Sequence, residues 1–330
     1  MTQVELPDFK PFVGQHCETV ASGTLLRAAG VELSEPMMFG LGEGLGFIII
    51  KLNTLPLPFL GGRSKPFALT LALFRNLDID CAVLETSSRA RAWSGLESSL
   101  RAGSPVGLQL DSFYLEYFSQ PVHFAGHCVA AYGCDDSHVM LVDTAQQGTV
   151  QRATRAAVEK ARFAKGPMAA RARAWTLSKQ PDLTGLPKAL RTAIRANARE
   201  YLAPPFTGAS YLGIRQLAAS VPKWLELAQR PEEDLKLCAL LMERAGTGGA
   251  LFRNFYRDFL REAKEHIDAA TALDEAHGLF ADSARRWTHV AKLIDSSART
   301  GQGAHLREAA DHCRQIADTE VAAMKILARV

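Results

Sequence analysis

The chain has 330 residues, 47% of them hydrophobic and 22% charged, which is ordinary globular usage and excludes a disordered or fibrous chain. Its 38 Lys and Arg stand against 35 Asp and Glu, a net charge of +3 with His neutral, so electrostatics alone make no case for nucleic-acid binding. At about 150 residues per domain, the length predicts two domains.

The first residues, MTQVELPDFK, are mixed and acidic, unlike the basic-then-apolar start of a signal peptide. Helical apolar spacing then runs from Glu18 to Ala29, with Gly30 as the stop signal. Ser34 and Glu35 suit the start of a short helix. Phe47–Leu52 reads as a buried strand, and its apolar run is far short of the ~20 residues of a membrane span. Helices are predicted over Phe67–Leu77 and Arg89–Arg101, and strands over Cys81–Leu84 and Pro105–Leu110. His127–Tyr132 and His138–Val142 read as two strands joined by a hairpin turn, followed by a helix over Ala153–Phe163. A leading helix and a mostly antiparallel sheet predict an α+β fold. Residues 178–187, SKQPDLTGLP, have linker composition. Beyond them the chain reads as helices over 187–202, 210–229, 232–245, 249–271, 274–297 and 303–328, with Pro222 breaking the second. The predicted domains are thus 1–177, a linker 178–187, and an all-α domain 188–330.

Six cysteines, at 17, 81, 128, 134, 238 and 313, contain no C-x-x-C pair. In a chain expected to be soluble and cytoplasmic they should stay reduced. The question is whether one thiol does chemistry. Cys17 opens the first helix, where the partial positive charge favours thiolate. His127 begins a strand and Asp143 ends the next, so a hairpin sets the carboxylate level with the imidazole. That is the nucleophile, base and orienter pattern of covalent acyl transfer. Taken singly, each residue has a blander reading as a small buried thiol or a core histidine. His123 is the rival base, but His127 leads directly into the apolar strand. His16, Cys17, His123, His127, Cys128 and Cys134 offer zinc-type donors, but they lack compact ligand spacing and no metal is expected. His305 and His312 read as part of a solvated helix face.

Several segments, in order, carry a resemblance: GQHCETVASGTLLRAAGVELSEPMMFGLGEGLGF, GGRSKP, PVGLQLDSFYLEYF, HFAGHCVAAYG and ARFAKGP. Together they resemble the family named after the N-terminal domain of butirosin biosynthesis protein H, over residues 14 to 177. GTGGALFRNFYRDFLREA and SARRWTHVAKLI are similar, more loosely, to the helical domain that often follows it. The resemblance implies a papain-like cysteine peptidase fold and an acyltransferase. It makes Cys17 the nucleophile, His127 the base and Asp143 the orienter. Such an enzyme moves an acyl or aminoacyl group from an acyl-carrier-protein thioester to an amine or hydroxyl acceptor in secondary-metabolite biosynthesis. No cofactor is implied, 4′-phosphopantetheine arriving only on the carrier. Papain-like peptidases place an oxyanion Gln six residues before the nucleophile, and here Pro11 stands there. Gln15 or His16, with the Cys17 amide, is the substitute.

Substrate contacts are expected from Glu35, from Gly42 and Gly44 lining an acyl channel, from Arg63 on the carrier phosphate, and from Asp111, His123 and nearby aromatics at the acceptor. Each has a plain structural alternative: a cap, a tight turn, a solvated arginine, ordinary aromatic cover. Two other functions stay open. The same residues would serve a thioesterase, amidase or peptidase, and a structural thiol would leave a non-catalytic binding protein. No membrane or nucleic-acid partner is expected, and a homo-oligomer is left open.

Overall fold

The architecture was derived from a computed structural model, which describes residues 3–52, 55–62, 65–119, 121–178, 182–244 and 248–330. In chain order, β1 (Val4–Glu5) precedes α1 (Cys17–Ala28) and α2 (Glu35–Leu41), then a hairpin of β2 (Ile48–Ile50) and β3 (Phe59–Gly61). There follow α3 (Ala68–Asn76), β4 (Cys81–Leu84), α4 (Arg89–Arg101) and β5 (Val106–Leu110). Next come β6 (His127–Cys134), β7 (His138–Val142), β8 (Val150–Thr154), α5 (Arg155–Arg162) and β9 (Ala174–Leu177). The rest is helical: α6 (Leu186–Leu202), α7 (Ser210–Ser220), α8 (Trp224–Leu227), α9 (Pro231–Arg244), α10 (Ala250–Ala263), α11 (Ala270–Thr300) and α12 (Gly303–Leu327). No described helix is long and apolar enough to cross a membrane.

Two compact units result. The first comprises Met1–Met38 and Lys65–Gly185. Its sheet runs β4-β9-β5-β6-β7-β8, with β1 also pairing β6, and every recorded pairing is antiparallel. Val129 and Ala131 of β6 join Leu96 and Leu100 of α4 and Val158 of α5 in one core. By the two-residue period of a strand, Cys128 and Ala130 face the other way, and β6 packs on that side against α1. This is the expected α+β arrangement, a helix headed by cysteine laid on an antiparallel sheet.

Helix α1 ends as its sequence requires. Gly30 has φ +79, and the Val31 amide donates back to the Leu26 carbonyl, so a residue without Cβ closes the helix. Ser34 caps α2 by accepting from the Met37 amide at 3.0 Å.

The second unit comprises Phe39–Ser64 and Leu186–Val330. This corrects the expected division, which assigned all of residues 1–177 to the first domain. The reason is apolar: Phe47, Ile49, Leu57 and Leu60 belong to the core of Trp224, Trp287, Val290 and Ile316. The Ile49 amide donates to the Gly208 carbonyl at 2.8 Å, and the Ser210 amide to the Phe47 carbonyl at 2.7 Å. The break at Pro222 falls where expected, in a 3-10 turn between α7 and α8. Of the expected linker, residues 179–181 lie outside the described residues.

Buried in this unit is the ion pair of Arg253 with Glu320, both side chains fully inaccessible. Arg253 donates through Nε at 2.8 Å and Nη2 at 2.9 Å. Trp287 Nε1 adds a bond at 3.1 Å, and the Tyr201 and Ser283 hydroxyls donate to the same carboxylate. Burial alone would push the Glu320 carboxyl up, but Arg253 and the hydroxyls hold it low.

Candidate functional site

The candidate site lies in the first unit, at the head of α1. Glu35 fixes that end. Its carboxylate accepts from the Gln15 amide at 2.9 and 3.0 Å, from the His16 amide at 2.8 Å and from the Thr19 hydroxyl at 2.8 Å. A Cβ on Gly14 would stand 2.8 Å from Glu35 Oε1, so only glycine lets the carboxylate approach. Burial pushes this carboxyl up, against the hydrogen bonds from Gln15, His16 and Thr19. Glu35 therefore caps the turn that carries Cys17, a positioning role beside the substrate contact expected of it. The same bonds occupy the Gln15 and His16 amides. Of the two proposed oxyanion donors, the Gln15 side chain is exposed, while the His16 ring is buried beside Thr19.

The half-buried Cys17 meets β6. It makes hydrogen bonds with the Cys128 thiol, the His127 ring and the Cys128 amide, and the Cys128 thiol also lies 3.8 Å from the Gly126 carbonyl. Those bonds and the His127 charge outweigh burial and hold the thiol well below its ordinary value of 9.0. His127 Nε2 is 2.8 Å from Asp143 Oδ2, which leaves Nδ1 for the sulfur. Burial alone would lower the imidazole. The Asp143 carboxylate and the Cys17 sulfur reverse that and carry it up to about 10. Both shifts favour the charged forms, thiolate on Cys17 and imidazolium on His127.

Asp143 is itself held. The Tyr117 hydroxyl donates to Oδ2 at 2.8 Å and the Thr144 amide to Oδ1 at 2.7 Å. Phe118 sets its ring edge-to-face with His127 at 5.4 Å. The Ala145 amide bonds the Gly14 carbonyl at 2.8 Å. That bond ties the segment after Asp143 to the segment before Cys17.

Asp111 and His123 make other contacts. Asp111 accepts from the Phe113 amide at 3.1 Å, the Phe124 amide at 2.9 Å and His123 Nδ1 at 2.9 Å. It organises the loop that delivers His127. His123 is mostly exposed and stacks on Phe113 at 3.8 Å; its nitrogen serves Asp111, not Cys17. Gly42 and Gly44 belong to the second unit. There the Gly44 amide closes α2 onto the Phe39 carbonyl, and a Cβ on Gly44 would strike Phe39 at 2.7 Å. The left-handed residue of this turn is Glu43, not a glycine. Arg63 lies outside the described residues.

Sequence reading missed three contributors. Tyr117 and Phe118 stood only as aromatics of a loop, and nothing in their spacing marks an acidic partner 26 residues on. Cys128 was legible: alternation sends it to the α1 face, opposite the Val129 core, and α1 begins with Cys17.

Residues 16–144 match the family described as "Butirosin biosynthesis protein H, N-terminal", a stretch that starts one residue before Cys17 and ends one after Asp143. Residues 156–327 match a domain of unknown function, DUF4872. A solved protein from Bacillus anthracis, described as C39-like and provisionally as a peptidase, aligns with 55% of this chain and 100% of its own. The identity is 17% and the TM-score 0.38. No curated protein sequence matches.

Proposed function

The chain belongs to the DUF4872 family, and on that premise, with the Cys17 geometry, we propose a cysteine-dependent acyltransferase. Its donor is an acyl or aminoacyl thioester on an acyl carrier protein, and its acceptor a small-molecule amine or hydroxyl in secondary-metabolite biosynthesis. The observation that carries this reading is the continuous line from the Cys17 sulfur through His127 to Asp143 Oδ2. The match to the butirosin biosynthesis family supports the setting and spans all three residues.

In the first half-reaction the Cys17 thiolate attacks the thioester carbonyl. The C–S bond to the carrier breaks, and the departing sulfur takes the proton of the His127 imidazolium. A thioester replaces a thioester, so the step is nearly balanced in energy. In the second, the acceptor nitrogen or oxygen attacks the acyl-Cys17 carbonyl and His127 takes its proton. Expulsion of the thiolate restores the ion pair. Asp143, fixed by Tyr117 and Thr144, keeps the imidazole oriented throughout. The Cys17 amide, at the positive end of α1, faces the developing oxyanion, with the exposed Gln15 carboxamide as the second donor.

The test is intact-protein mass spectrometry with a panel of acyl-carrier thioesters. Wild type is expected to gain the acyl mass and Cys17→Ala to gain none. Candidate amines should then discharge the adduct faster than buffer does. Discharge at one rate with or without amine would make water the acceptor and the protein a hydrolase. No adduct, together with a Cys17 inert to iodoacetamide at neutral pH, would end the catalytic reading.

A further inference from the structure

Far along the chain from Cys17, the helical unit gathers a second set of ligating side chains. His289 lies on α11, and Glu308 and His312 lie one turn apart on α12. One ligating atom from each comes within 4.8 Å of the other two. The two imidazoles stand edge-to-face at 4.7 Å, and His289 Nε2 is 3.4 Å from Glu308 Oε1.

We propose that His289, Glu308 and His312 form a binding site for a divalent transition metal, Zn²⁺ by donor type, that clips α11 to α12. Two imidazoles and a carboxylate are a zinc donor set that leaves one tetrahedral position open. Bonds of about 2.1 Å would bring the donor atoms to about 3.4 Å apart, a contraction that side-chain rotation supplies. The helix backbones need not move. Each ligand is followed in sequence by a core residue, Val290, Ala309 and Cys313, all inaccessible, so the packing that joins the helices also sets the spacing.

Arg286 Nη1 lies 3.5 Å from His312 Nδ1, a contact that opposes a cation. It is also a replaceable one, because Arg286 keeps Asp282 through Nε at 2.7 Å and bonds Gln315. With metal on Nε2, His312 Nδ1 carries a proton, and Arg286 must turn to those two partners.

Metal-stripped full-length protein, titrated with Zn²⁺ against a chromogenic chelator at neutral pH, tests this. Wild type and Cys17→Ala are expected to bind one equivalent alike, because the site is independent of the thiol. His289→Ala and His312→Ala should each weaken binding by at least about tenfold, the lower bound seen even for outer-shell partners. Co²⁺ as a probe should give tetrahedral visible bands in wild type that His312→Ala abolishes. Failure of wild type to compete with the chelator would overturn the proposal. So would binding that both histidine variants retain, or binding lost only with Cys17→Ala, which would place the metal at the thiols.

Discussion

Asp143 in the first unit and Glu320 in the second are both buried carboxylates, and the two are used differently. Glu320 faces a guanidinium that never loses its proton, and three neutral donors complete its shell. Asp143 faces an imidazole, which can lose its proton, and the far nitrogen of that ring meets a half-buried sulfur. A buried charge network fixes geometry when every member is permanently satisfied. It becomes chemistry when one end titrates and reaches a nucleophile.

Substitutions sharpen that contrast. Asp143→Asn keeps the size of the side chain and removes its charge. Acyl transfer should fall by about 10²–10⁴-fold, and the pH at which iodoacetamide labels Cys17 should move up toward that of an ordinary thiol, while urea melts change less. Glu320→Ala should do the reverse. It leaves Arg253 buried and unpaired, at a cost of about 3–5 kcal/mol in urea unfolding. Pairing it with Arg253→Met should not restore full stability, since Tyr201, Ser283 and Trp287 still lose their acceptor at about 1–3 kcal/mol each. Full recovery in the double variant would show that those three bonds contribute nothing.

Tyr117→Phe removes one donor from a charged acceptor and should cost about 1.5–3 kcal/mol of stability. Its effect on Cys17 labelling should be smaller than that of Asp143→Asn, because Thr144 still holds the carboxylate. The smallest effect concerns pH. The His127 value rises from 6.5 to about 10 on folding, so alone it stabilises fully below pH 6.5 and loses that as pH rises toward 10. The Cys17 value falls from 9.0, so alone it stabilises above pH 9.0 and loses that as pH falls. Between 6.5 and 9.0 the folded pair holds one proton, on His127, and the unfolded chain holds one, on Cys17. The slopes cancel, and wild-type stability from this pair should be flat there. Cys17→Ala breaks the cancellation. Its stability should fall as pH rises above 6.5, by at most about 1.4 kcal/mol per pH unit. A flat curve in that variant would show that Asp143 does not hold the imidazolium by itself.

Much of this was readable from local pattern. Cys81–Leu84 and Arg89–Arg101 form the predicted elements at the predicted bounds, because each is a continuous periodic run between turn residues. Cys17, His127 and Asp143 were visible as helix start and strand ends, positions that the backbone alone brings together. What escaped depends on partners remote in sequence. The short strand Val150–Thr154 is polar enough to pass for helix or loop, and the four residues Ala174–Leu177 are too few to show a period, until the sheet supplies their neighbours. The bonds Glu35 makes under Cys17 escaped because nothing local shows that two amides of another segment surround it. The solvated face expected around His312 holds a second imidazole because α11 returns His289 beside it.

The division of the chain also has a consequence for biosynthesis. Residues 39–64 interrupt the first unit, yet their apolar side chains Phe47, Ile49, Leu57 and Leu60 rest on Trp287 and Ile316. On the ribosome, at about 5–20 residues per second, the delay between Leu60 and Trp287 is on the order of tens of seconds. Throughout that interval the β2–β3 hairpin emerges without the wall it packs against. Early release, or truncation at Gly185, would strand it bare, inviting chaperones or aggregation.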